Sequence, residues 1–159
     1  MAHKVLLGLD EGLLHNIMQR KHLITTLIVM AFIFIQSALP GDLSSNESNF
    51  IVQFLVAVFD VDAGSVGFAV RKCAHFTEYM VLGMSTKLLF GEVRLSGLIA
   101  WAVGAGYAVT DEFHQLFVAG RSCEVRDMCI DAAGVLCGVM VVWLWRKSRG
   151  RTGARLKTR

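Results

Sequence analysis

The sequence predicts an all-α, multi-pass membrane protein: four transmembrane helices, with a short interfacial or re-entrant segment between the first and the second. Three observations carry this. The chain is 54% apolar and 18% charged with one proline in 159 residues, and its mean hydropathy of +0.52 lies on the apolar side of soluble domains. Four stretches have the ~20 mostly apolar residues that a bilayer crossing needs. Cations and anions are segregated into different links, as orientation in a membrane requires. Residues 1–145 read as one membrane domain and residues 146–159 as a basic cytoplasmic tail.

The first span is "HLITTLIVMAFIFIQSALP", 22–40, which carries no charge apart from the flanking His22. It is longer than a signal-peptide core, begins late and lacks a clear small-x-small cleavage site, so it reads as an anchor. "FIVQFLVAVF", 50–59, is apolar but too short to cross, hence the interfacial or re-entrant assignment. Further spans are expected over about 66–90, 95–117 and 128–145. Four cysteines, Cys73, Cys123, Cys129 and Cys137, have no CxxC spacing and read as small apolar fillers.

Orientation follows from the links. Arg146, Lys147, Arg149, Arg151, Arg155, Lys157 and Arg159 crowd the C-terminal tail without an acid, Arg20 and Lys21 precede the first span, and Lys87 and Arg94 flank the second link. Cationic flanks stay cytoplasmic, so both termini are expected inside the cytoplasmic (inner) membrane. Residues 41–70 hold Asp42, Glu47, Asp60 and Asp62 and no Lys or Arg, which places them outside. The basic tail would contact anionic lipid rather than nucleic acid.

The ionisable groups then fall at one membrane level. On the second helix Lys72, His75 and Tyr79 lie within about 60° of each other, with Arg71 and Glu78 at the edge of that face. The third helix is apolar until Thr110 and then presents Asp111, Glu112, His114 and Gln115. The fourth begins with Asp127 and Asp131, one turn apart, followed on the same side by Gly134 and Gly138, which permit close helix contact. Charged groups within spans are costly and mark a functional site. The bland alternative is a purely structural network, Lys72 with Asp111 and Arg121 with Asp127.

"RKCAHFTEYMVLG", 71–83, followed by "DEFHQLFVAGRSCEVRDMCIDAAGVLCG", 111–138, resembles the two signature blocks of VanZ-like membrane proteins, a family named for a teicoplanin resistance protein. The resemblance implies a polar motif of Lys72, His75, Glu78 and Tyr79 with Asp111, Glu112 and Gln115, completed by Arg121, Asp127 and Asp131. It also brings a link to the cell envelope and to glycopeptide susceptibility. Two positions depart from the family pattern: Ala119 where proline is frequent, and Asp131 where asparagine is frequent.

Three activities fit these residues. In the first, the site binds or remodels an outer-leaflet amphiphile such as a lipid-linked cell-wall precursor. Arg71, Lys72 and Arg121 would hold phosphate, and Asp111, Glu112 and Gln115 would meet sugar or peptide donors. In the second, an intramembrane hydrolase or transferase acts on a lipid phosphate, with His75, Glu112 or Asp111 as the catalytic candidates. No cofactor is expected. A divalent metal on Asp111, Glu112 and Asp127 would suit magnesium or calcium, although no metal-ligand motif is present. The third, ion-coupled transport through Glu78 and Asp111, lacks ionisable groups in the inner halves of the third and fourth helices.

Overall fold

A computed structural model describes residues 2–40, 52–58, 62–91 and 93–157, with side chains described between residues 12 and 149. The described residues form five helices and no strand: α1 (Ala2–Ala38), α2 (52–58), α3 (Ala63–Phe90), α4 (Ser96–Gln115) and α5 (Val125–Lys157). Asp42, Glu47 and Asp60, on which part of the orientation rests, lie outside the described residues.

Two helices run further than their apolar stretches. α1 begins about 20 residues before the first apolar run, because Leu, Met, Lys and Glu are good helix formers whatever their polarity. α5 continues through the basic segment for the same reason, so residue 146 marks a change of composition and not of backbone.

α1 and α4 run side by side in one direction: the Tyr107 hydroxyl donates to the Met30 carbonyl at 2.6 Å, and the Ser37 hydroxyl to Asp111 one to two turns on. α3 and α5 run together in the opposite direction. Their backbones touch, since a Cβ at Gly138 would overlap the Met80 carbonyl and one at Gly134 the Phe76 carbonyl. α4 closes on α5 through the Trp101 indole, whose N–H donates to the Ala132 carbonyl at 3.1 Å. The result is an up-and-down bundle of four long helices.

The ends are fixed by local chemistry. Asp62 caps α3 by accepting the Ser65 N–H at 2.8 Å, and that bond holds its carboxyl below the ordinary 3.8. α3 stops at Gly91, whose φ of 59° suits glycine. The turn into α4 then forces Leu95 to φ 65°, a left-handed conformation uncommon for a side-chain-bearing residue.

The bundle is inverted relative to a water-soluble one. Leu27, Ile28, Phe32 and Ile35 on α1, Leu98, Val109 and Phe113 on α4, and Leu136, Met140 and Leu144 on α5 are exposed. Thr26, Ser37, Thr86, Asp111, Glu112, Gln115 and Asp131 are buried. A hydrocarbon solvent explains this arrangement and water does not. By length and composition, two helices among the described residues qualify as membrane spans, Gly12–Ala38 and Val125–Arg149, rather than the expected four. α3 and α4 are long enough, but Arg71, Lys72, Glu78 and Lys87 interrupt one, and Asp111 and Glu112 the end of the other.

Candidate functional site

The acids and bases gather where α1 and α4 finish and α3 and α5 begin. The Lys72 ammonium, on the third turn of α3, pairs with the Asp127 carboxylate in the first turn of α5, where the helix dipole already favours an anion. Asp111 accepts from the Ser37 hydroxyl and, at 3.5 Å, from the Gln115 amide one turn on. Glu112 accepts the Glu124 N–H at 3.1 Å and so anchors the link into α5.

Arg121 does something other than meet an acid. Gly120, at φ 73°, turns the chain so that the guanidinium donates to the Leu39 and Gln36 carbonyls at 3.3 and 3.2 Å. It thereby caps the C-terminus of α1, the end at which a cation is favoured. Burial, and next the Arg71 cation, pull the guanidinium below its ordinary value, against Asp111, Glu112 and Glu78. The pairings considered from sequence, Lys72 with Asp111 and Arg121 with Asp127, are therefore not those formed. Spacing along a helix gives the face of a residue but not which neighbour across the bundle reaches it.

Several buried polar atoms remain without a hydrogen-bond partner: both Asp131 carboxylate oxygens, Asp127 Oδ1, the Tyr79 hydroxyl, His75 Nδ1 and His114 Nε2. Asp131 is 1% exposed and Tyr79 fully buried. Asp131 stands within electrostatic reach of Glu112, Asp111, Asp127 and Glu78, and His75 within reach of Arg121, Asp111, Lys72 and Asp127. The His75 and Glu78 side chains are 3.9 Å apart. Tyr79 faces Asp111 without meeting hydrogen-bond geometry. Lys72, His75, Glu78, Tyr79, Asp111, Glu112, Gln115, Arg121, Asp127 and Asp131 thus occupy one end of the bundle. His114 is turned away from them, its ring 4.6 Å from that of Phe34.

This geometry narrows the chemistry. Among the described residues three of the six unpartnered atoms are carboxylate oxygens, so half of the unmet demand is for hydrogen-bond donors. Two of the three cations expected to clamp a phosphate are engaged, Lys72 by Asp127 and Arg121 by α1 carbonyls. Among the described residues no three His, Cys, Asp or Glu side chains are arranged to hold a metal. Asp111, Glu112 and Asp127 are each bound to a different partner. All four cysteines are free.

Sequence reasoning overlooked Ser37, Tyr107 and the Glu124 amide. Ser37 lies in a span without charge, Tyr107 in the apolar part of α4 one turn before Asp111, and Glu124 contributes only its main-chain N–H. A serine in the last turn of an apolar span was the one available signal.

A bundle that turns many apolar side chains outward and gathers its acids at one end is that of a helical membrane protein. The model of the VanZ/LLP1 family matches residues 22–146, which takes in α3, α4, the polar cluster, the second half of α1 and most of α5. The chain belongs to the VanZ/LLP1 family. Comparison with the curated proteins and with the solved structures gives no significant match to either.

Proposed function

We propose that the protein binds a lipid-linked or cell-envelope ligand at a polar site near the outer leaflet of the cytoplasmic membrane. In this reading α3 and α4 span the bilayer together with α1 and α5. They pack along the two apolar spans, and their charges face the bundle or its ends, so lipid does not meet them. Both termini are then cytoplasmic and the polar end faces outward, as the lack of Lys and Arg in the sequence of residues 41–70 favours.

The observation that carries the proposal is Asp131, a buried carboxylate with two unpartnered oxygens among four other acids. Such a group costs stability unless something donates to it. A headgroup rich in hydroxyl, amide or ammonium donors would do so while its chain lies against the exposed apolar helices. The ligand's donors, more than its phosphate, would be what is recognised, because two of the three cations at this end, Lys72 and Arg121, are already engaged. An effect on glycopeptide susceptibility would follow if the ligand is a cell-wall precursor.

The test is native mass spectrometry with lipid identification on the gently solubilised protein, comparing wild type with Glu78→Gln/Asp131→Asn at matched folded yield. A donor-rich lipid retained by wild type and lost from the variant is expected. An identical lipid profile in both would refute a ligand site at these acids.

A further inference from the structure

The opposite end of the bundle holds a second group of charges that the polar site does not use. Lys87 is 6% exposed, although lysine is seldom buried without a carboxylate partner. Its ammonium donates to the Gly91 carbonyl at 3.0 Å and to the Ser96 hydroxyl, which occupies two of its three hydrogens. Among the described residues no carboxylate lies at ion-pair distance from Lys87 or from Lys147. Arg146 reaches the same Gly91 carbonyl from α5 at 3.1 Å. Lys147 sits 4.7 Å from the centre of the Trp143 ring.

Lys87, Trp143, Arg146 and Lys147 line one cleft of about 350 Å³ between the end of α3 and α5. Capping the last carbonyls of α3 explains one bond each for Lys87 and Arg146. It does not explain a third cation, an aromatic wall or a cleft. In sequence, this end sets Lys87, Arg94, Arg146, Lys147 and Arg149 against Glu92.

We infer that this cleft is a second binding site, for a phosphate-bearing anion, with Lys87, Arg146 and Lys147 as its charges and Trp143 as its wall. A phosphate oxygen accepts from several ammonium and guanidinium groups at once, and a tryptophan at the membrane boundary suits a headgroup whose chain continues into lipid. The source of the phosphate is an anionic lipid or a soluble phosphate compound. The inference is independent of the polar site at the other end and stands or falls separately.

The experiment measures lipid binding by the full-length protein in nanodiscs and detergent, with phosphatidylglycerol as the probe and phosphatidylcholine as the uncharged reference. Wild type is expected to prefer phosphatidylglycerol. Arg146→Gln/Lys147→Gln should weaken that preference about tenfold, whereas Arg155→Gln/Lys157→Gln, which removes the same charge from the tail, should leave it nearly unchanged. Lys147→Gln alone, at an exposed position, should give a smaller loss in the same direction and guards against misfolding of the double variant. Displacement of the lipid by millimolar inorganic phosphate assigns the cleft to soluble phosphates, and resistance to it assigns the cleft to a headgroup. Equal losses from the cleft and tail variants, or no preference in wild type, overturn the inference in favour of diffuse attraction or no site.

Discussion

Lys72 and Asp127 show how a single pair organises the polar end. Each side chain is about four-fifths buried, and their contact joins the start of α3 to the start of α5. Removing one partner leaves the other charge with little water to solvate it. Lys72→Met or Asp127→Leu alone should therefore cost about 1–3 kcal/mol, and the double substitution less than the sum. Thermal unfolding of the four proteins in one detergent checks this, and additive losses would show that the pair is not coupled. The residue scale is also where sequence is least explicit. The spacing of Lys72, His75 and Tyr79 gives a shared face, but it does not give Asp127 as the partner of Lys72 or main-chain carbonyls as the partners of Arg121. Those choices depend on the turn at Gly120 and on helix register.

Among the elements, α3 and α5 matter most, because their backbone contact sets the distance between Lys72 and the acids of α5. Gly83 and Gly138 make that contact possible, since a Cβ at either would overlap a main-chain carbonyl, of Val135 and Met80 respectively. Gly106, on α4, has open space around it. Gly138→Ala should then cost about 1–3 kcal/mol through enforced separation, while Gly106→Ala should be neutral or stabilising, as Ala is the better helix former. Equal effects of the two substitutions on melting temperature would contradict the packing described. The small residues of α5 were legible as contact positions from the spacing of Gly134 and Gly138. The partner helix was not, and neither was the length of α1 or α5, because an apolar window ends where polarity begins and a helix does not.

At the scale of the whole molecule, the apolar exterior and the polar groups buried beside the core point to a hydrocarbon solvent, and the distribution of basic residues suggests an orientation. In a chain whose other cysteines are replaced by alanine, Cys123 should react with a membrane-impermeant maleimide in intact cells. A cysteine introduced as Thr152→Cys should react only after permeabilisation; the opposite pattern would invert the topology. The central claim is that the buried acids are retained for a ligand and not for the fold. Asp131→Asn tests it most directly, because the change keeps the shape, removes a charge and offers an N–H₂ to the surrounding carboxylates. Measured on delipidated protein, the melting temperature should rise by several degrees, corresponding to relief of about 1–3 kcal/mol. A fall would mean that Asp131 holds the bundle together, and the polar end would then be a structural network instead of a binding site.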